Sequence, residues 1–501
     1  MKRRITILAG GVFSVAMASS LFAQMEPSSK QAAPQQRMLT ETQVKNLGVL
    51  PFDKKINYVT VSPTGERLAY ELRQEDQSYL ICDGKPGPGY ESVSRPVFSP
   101  NGQRLIYGAS RKSALRTRRG RHSFLVCDGK ELGLEYDRSG GPLFSPDSQR
   151  LAFQAAERGS GVVVCDGKEV YRDRGGAGWL VFSPNSLHLA FFPRAGAFVI
   201  CDGKPLPAWE SAGTGDAPVF SPDSRHLVYW ARQKGSWFLV QAELRDDEWV
   251  VPREQPKGPT YEGFGDGPAF SPDGKHVACI AKTDGKIVMV LDGKSVGTGE
   301  EISHPLFSPD SERMAYISHK GKQWFIVYDG EESPPYDYLE GYRRVFSPDS
   351  KHLAYIGWRG WRGMTDEALE EWSRRGAKWV LVCDGRSAPA VTWQGGRYTW
   401  PQTPVFSPDS RHLAWFATRG KDQFVVVDGI EGPKHAFVRI PQKYCWLEGK
   451  AITPGVDPAP TDKNGTLRYV VGDGKEAWLV EVDWPKDLDW TNGLKPVEPE
   501  K

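Results

Sequence analysis

The chain has 501 residues, 25% of them charged and 39% hydrophobic, with a formal net charge of +2. A near-neutral chain is neither a strongly basic nucleic-acid binder nor an acidic solvating polymer. Its 53 Gly and 38 Pro exceed ordinary usage without reaching low-complexity levels, so many turns are expected.

At the N-terminus, Lys2, Arg3 and Arg4 precede an apolar run over 5–22, and Ala23 offers a small-residue cleavage site. This is the layout of a secretory signal peptide, removed after Ala23. It predicts a periplasmic or secreted protein. No second apolar run of that length follows, so no membrane span is expected after removal. Residues 24–45, rich in Gln, Ser, Pro and Ala, read as a flexible leader. Residues 491–501 read as a disordered tail.

The body, 46–490, is built on a repeat. Phe98-Ser99-Pro100-Asn101-Gly102 recurs as Phe144-Ser145-Pro146-Asp147-Ser148 and again around Ser183, Ser221, Ser271, Ser308, Ser347 and Ser407, with a weaker copy at Ser62. Most successive copies stand 37 to 39 residues apart, which matches a four-stranded propeller blade. Pro presets φ for the turn, and Asp or Asn followed by Gly or Ser completes it. Six residues after the Ser comes an apolar triplet such as Leu68-Ala69-Tyr70 or Leu353-Ala354-Tyr355. Three apolar residues in a row place both faces of the strand under cover. The Ala points away from its bulky neighbours and leaves one face of each sheet small enough for the next sheet to approach. A second strand follows, as at 161–165 or 237–240, and usually ends at Asp-Gly, the preferred two-residue hairpin turn.

One such sheet cannot bury two apolar faces, whereas a ring of sheets can. The sequence therefore predicts an all-β propeller of 8–10 four-stranded antiparallel blades, closed by its N- and C-terminal strands. A split into two smaller rings stays open. Residues 47–55 resemble the fourth strand that precedes other Ser-Pro turns. Residues 466–471 with Asp473-Gly474-Lys475 resemble the second and third strands, so the N-terminal strand is expected to complete the last blade. One helical pattern occurs, at 365–372.

The Phe-Ser-Pro-Asp-Ser/Gly turn, the basic residue and the Leu-Ala-Tyr triplet together resemble the WD-like repeats of the TolB family of periplasmic propellers, over about residues 57–482. Related repeats form the propeller domains of prolyl oligopeptidase-type enzymes. The TolB resemblance implies a periplasmic or surface location and protein–protein contact. The Cys-Asp-Gly-Lys hairpins are a departure from the general pattern.

The repeat constrains the chemical candidates. Cys82, Cys127, Cys165, Cys201 and Cys383 share a slot before Asp-Gly with Leu291, Tyr328 and Val427. That is an apolar packing slot, so reduced, buried thiols are expected rather than a disulfide framework. His188, His226, His276, His352 and His412 share a slot with Arg67, Arg104, Arg150 and Arg313. Arg offers no lone pair to a metal, so the slot reads as a repeated cation beside a turn Asp. No metal site and no cofactor are expected. Gly293-Lys294-Ser295-Val296-Gly297 matches a nucleophile elbow in letters only, because it falls on a hairpin between strands.

Two insertions break the repeat and carry the candidate binding residues, since binding lives on loops over a rigid scaffold. The first, 111–122, holds Arg116, Arg118, Arg119 and Arg121, suited to phosphate, an anionic glycan or an acidic partner, or else a solvated hairpin tip. The second, 358–400, holds Trp358, Trp361, Trp372, Trp393 and Trp400. These form either an aromatic binding surface for protein or sugar or a cluster packing the helix onto its blade. Trp379 reads as part of a core strand. The expected function is a non-catalytic, protein-binding scaffold of the cell envelope. A carbohydrate-active lyase or glycosidase on one propeller face, or a small-ligand or anion sensor in the central channel, are the alternatives. The partner is expected to be another envelope protein or a glycan, not nucleic acid.

Overall fold

The computed structural model describes residues 39–49, 56–112, 121–133, 136–194, 196–213, 217–252, 258–265, 267–303, 305–359, 378–388, 391–392, 403–420, 422–439, 446–447, 450–451, 466–472 and 476–496. Ten antiparallel sheets of four to six strands make up this part of the chain, with one further two-stranded hairpin. They are numbered here as blades 1 to 10, with strands a to d in the order of pairing. In blade 1 these are Ile56–Val61, Leu68–Gln74, Gln77–Cys82 and Lys85–Tyr90. Blades 2 to 9 follow in sequence, their b strands opening at Leu105, Leu151, Leu189, His226, Val277, Met314, Leu353 and Leu413. The all-β propeller is thus present, at the upper end of the expected blade range and as one ring.

The apolar triplet explains the stacking. Leu68 and Tyr70 pack into a cluster with Val470, Ala477 and Leu479 of blade 10. Ala69, on the other face of the same strand, packs with Phe98, Tyr107 and Phe124 of blade 2. The alternation recurs around the ring. Ten apolar clusters result, each shared by two neighbouring blades. The Asp-Gly hairpins adopt the expected left-handed pair, as at Asp83 with φ 50° and Gly84 with φ 74°.

Closure uses the N-terminal strand. Blade 10 is ordered Phe437–Arg439, Leu467–Gly472, Glu476–Val482 and Thr42–Val49, the last antiparallel from Thr42↔Glu481 to Val49↔Glu476. Three sequence expectations are corrected. The expected leader ends at 45, but the closing strand already starts at Thr42, because Glu476–Val482 offers a full-length ladder. Leu467–Gly472 takes the second (b) place rather than that of a Cys-Asp-Gly strand, because Phe437–Arg439 already lies on its other side. Against the expected disordered tail from 491, Trp490–Gly493 forms a helical turn and Lys495–Pro496 pairs with Arg386–Ser387 of blade 8. Asp489 caps that turn, accepting from the Thr491 amide at 2.9 Å. The segment therefore straps blades 10, 9 and 8. Trp484 stacks on His412 at 5.7 Å, and the Trp490 amide donates to the Arg411 carbonyl at 3.1 Å.

The six described cysteines are free, five of them buried and Cys82 half-buried. Burial pushes the Cys82, Cys127 and Cys165 thiols up to about 11. Among the described residues no helix is long and apolar enough to cross a membrane. The helical pattern at 365–372 lies outside the described residues.

Candidate binding face

In a meander of four strands the a–b and c–d turns fall on one rim, and the b–c turns and d–a crossings on the other. The first rim is held by two repeated devices. One is the Ser-Pro turn. Its first Ser is buried in all nine copies. In blade 3 the Ser145 hydroxyl accepts from the Arg150 amide at 2.9 Å and donates to Asp147 at 2.5 Å. The second Ser, Ser148, sits at φ 67° and accepts from the Asn101 amide of the preceding blade at 3.0 Å. The same handover joins Asp147 to Ser186, Asn185 to Ser224, Asp273 to Ser311, Asp310 to Ser350 and Asp349 to Ser410, at 2.9 to 3.0 Å. A hydroxyl there outweighs the left-handed strain that glycine would relieve, because it satisfies a backbone donor of the preceding blade.

The second device is a clip. Arg67 Nε lies 2.8 Å from Asp83, and His188, His276 and His352 Nδ1 lie 2.7, 2.6 and 2.5 Å from Asp202, Asp292 and Asp384. The acid is the Asp of the c–d hairpin. Its other oxygen accepts the first b-strand amide, as from Leu68 at 3.0 Å. The slot arginines also reach the next blade, Arg67 Nη1 donating to the Gln103 carbonyl and Arg150 Nη1 to the Ser186 carbonyl at 3.1 Å. Among the described residues no group of three or more His, Cys, Asp or Glu could hold a metal. Blade 5 differs. Ala242 fills the Asp place, and His226 reaches only Asp223, at 3.9 Å.

The turn acids make this rim acid-labile. Hydrogen bonds from Ser145, Ser271 and Ser308 hold Asp147, Asp273 and Asp310 below the usual carboxylate range. A depressed folded-state value stabilises the fold above the ordinary carboxylate value, and that contribution disappears as pH falls through the depressed range. We expect the thermal midpoint to be flat between pH 5 and 7 and to fall progressively below about pH 4. Scanning calorimetry across that range checks it, and a midpoint unchanged at pH 3 contradicts it.

The other rim is irregular. Its recurrent feature, missed in the sequence, is an aromatic–acid pair in the d–a crossing: Tyr136-Asp137, Trp209-Glu210, Tyr261-Glu262 and Tyr336-Asp337. The acid caps the neighbouring b–c turn. Asp137 accepts from the Arg158 amide at 2.8 Å, Glu210 from Lys234 at 2.7 Å, and Glu262 from Gly285 at 3.1 Å. Repetition of that dipeptide was the available signal. The half-buried Trp237 and Trp324 sit opposite the ends of b strands. Arg232 lies over Trp237 at 6.0 Å, Phe264 meets it at 4.4 Å, and His319 stacks on Trp324 at 4.5 Å. This rim therefore carries an Arg–aromatic contact at Trp237 and an aromatic stack at Trp324.

Both insertions attach here, as b–c connections. The first joins Leu105–Lys112 to Arg121–Cys127 and the second joins Leu353–Arg359 to Lys378–Cys383. Arg116, Arg118 and Arg119 lie outside the described residues, as do Trp361, Trp372, Trp393 and Trp400. Arg121 opens its strand, and its side chain is outside what is described. Trp358 is corrected. It is fully buried with Trp379, Trp415 and Phe424 between blades 8 and 9, so it packs the ring and cannot present a binding surface. Arg111, at the root of the first insertion, lies over Phe124 at 4.3 Å and pairs with Glu131. The Gly293–Gly297 motif runs into Lys294–Gly299, the outer strand of blade 6, which has none of the strand-to-helix geometry of a nucleophile elbow.

No family model matches this chain, and no curated protein matches it. Among solved structures it is similar to a eukaryotic initiation factor, with 15% identity, covering 66% of this chain and 86% of that one at a TM-score of 0.41. It is similar to TolB from Acinetobacter baumannii, with 12% identity, covering 76% and 81% at a TM-score of 0.26. It is also similar to the β-propeller domain of the Trilobed protease from Pyrococcus furiosus, with 16% identity, covering 56% and 97% at a TM-score of 0.28.

Proposed function

We propose that this protein is an exported, non-catalytic binding scaffold of the cell envelope, whose partner is met by the b–c and d–a connections of one face. The observation that carries this reading is the inequality of the two rims. One is tied blade to blade by repeated hydroxyl and clip hydrogen bonds. The other carries both long insertions and the ring stacks at Trp237 and Trp324. A rigid rim that leaves the opposite one free to vary is the arrangement by which loops acquire partners without destabilising the fold. Export rests on the charged and apolar N-terminal run.

The test is a chain in which residues 360–377 are replaced by a two-residue Asn-Gly turn. Arg359 and Lys378 are already paired across the ladder, so the strands need no other change. The replacement is expected to leave the thermal midpoint within about 4 °C, the shift that roughly 1 kcal/mol or more would produce. It is also expected to abolish cross-linking to the envelope protein that the mature chain captures. Capture retained at wild-type level would overturn the assignment of that face.

A further inference from the structure

We propose that the ring is articulated: blades 2–5 and blades 6–9 are two stiff arcs, and the boundary between blades 5 and 6 is a compliant seam that opens on the Ser-Pro rim. The inference stands on the ring itself and does not depend on the binding reading. Inside each arc every boundary has a hydroxyl handover, through Ser148, Ser186 and Ser224 in the first arc and Ser311, Ser350 and Ser410 in the second. At the seam the chain of handovers stops. The residue that should accept from the Asp223 amide is Gly274, at φ 74° and without a hydroxyl. Blade 5 also lacks its own internal clip, because Ala242 replaces the hairpin Asp and His226 stays 3.9 Å from Asp223. The apolar cluster shared by blades 5 and 6 has five buried members, Trp230, Cys279, Ala281, Val288 and Val290, the fewest of the ten among the described residues.

The opposite rim of the same boundary supplies a pivot. Trp230 stacks on Phe264 at 5.8 Å and an interplanar angle of 27°, and Phe264 meets Trp237 edge-on at 4.4 Å. Packing beside that pivot is incomplete. A small cavity is lined by Gly213, Ala217, Tyr229, Trp230, Gly267 and Pro268. The buried Trp230 indole N–H has no acceptor. A boundary that is aromatic on one rim and untied on the other bends about the aromatic side. The described contacts therefore place the pivot on the rim of the candidate face and the missing tie on the Ser-Pro rim. A second break falls between blades 1 and 2, where Gly102 stands opposite Thr64. A Cβ at Gly102 would meet the Thr64 hydroxyl oxygen at 2.9 Å, so that position does not admit the missing hydroxyl. Gly274 does admit it, since its nearest neighbour, Pro222 Cδ, is 3.6 Å from a built Cβ.

The experiment is residue-resolved amide exchange on the full chain. The Ser221 and Ser271 amides flank the seam and donate to His226 and His276 at 2.9 Å; Ser183 and Ser308 make the same bond inside the arcs. We expect the seam pair to exchange roughly three- to tenfold faster, the equilibrium equivalent of about one missing hydrogen bond. Gly274→Ser is expected to slow the pair to the rate of the arcs, whereas Gly274→Ala, which adds a Cβ without an acceptor, is expected not to. Ser350→Gly cuts a handover inside an arc and is expected to speed exchange at Ser308 and Ser347 by a similar factor. Seam amides that exchange at arc rates in the unmodified protein overturn the proposal, and so does Gly274→Ser exchange no slower than that of Gly274→Ala.

Discussion

A chain lacking residues 39–49 is expected to lose its single cooperative melting transition and to expose the edge of Glu476–Val482. The expectation follows from how much of the closure this one strand carries. It supplies the full outer ladder of blade 10, from Thr42↔Glu481 to Val49↔Glu476. Leu47 is only 2% exposed and fills the cluster shared by blades 10 and 1. The Tyr70 hydroxyl of blade 1 donates to the Val49 carbonyl at 2.8 Å. At its start, Glu41 accepts from the Tyr469 hydroxyl at 2.5 Å and lies 2.8 Å from His435 Nε2. A ring has no end blades, so a missing closing strand bares the ladder edge of Glu476–Val482 and the part of the blade 10–blade 1 cluster that Leu47 fills. The point version is Leu47→Asp, which removes a buried side chain and buries a carboxylate. It is expected to cost about 4 kcal/mol or more. Gly48→Ala tests the fit, because its Cβ would stand 2.8 Å from the Gly84 Cα and nitrogen and its φ is +99°. Denaturant titration reads all three, and a truncated chain that melts like the intact one contradicts the closure.

His412→Ala is expected to be far more costly than His188→Ala, although the two residues occupy one slot in the repeat. Both imidazoles bind the hairpin Asp of their own blade, at 2.6 Å in His412–Asp428 and 2.7 Å in His188–Asp202. Their surroundings differ. The side chains of the first pair are 6% and 0% exposed, against 16% and 37% in the second. The difference is made by the C-terminal strap, whose Trp484 stacks on His412 and seals blade 9. Removing one partner of a buried pair strands the other, at about 3–5 kcal/mol. An exposed pair contributes about 0–1 kcal/mol. The measurement is the denaturation midpoint of each variant at constant m-value. Equal losses at the two sites would show that the strap does not exclude water from Asp428. In that case a truncation after 482 should leave His412→Ala no more harmful than before.

Much of the fold was legible because its devices are local and repeated. The Ser-Pro-Asp turn, the Asp-Gly hairpin and the Leu-Ala-Tyr triplet each act within a few residues, so their letters recur at fixed places in blade after blade. The free thiols were legible for the same reason: a slot that accepts Cys, Leu, Tyr or Val is a packing slot. The candidate face was less legible. Trp358 looked available because it stands beside an insertion, yet it is the last inward residue of its strand and pairs across the ladder with Trp379. One residue of register separates an exposed aromatic from a core one. The aromatic–acid pairs of the d–a crossings are harder to see because each acid caps a turn more than twenty residues further along the chain.

By itself the sequence determined the blade: four short strands with two apolar faces, one made small by Ala, which cannot be stable alone. Only the tertiary structure decided what depends on residues hundreds of positions apart. It set ten blades in one ring, Thr42–Val49 as the outer strand of the last, and the path of the C-terminal segment back to blade 8. It also revealed that the Ser hydroxyls serve the neighbouring blade and that the handover fails at Gly274. The division has a plain cause. Turn geometry and alternation are properties of adjacent residues, whereas closure, burial of an ion pair and the join between sheets exist only after the chain has returned to its starting point.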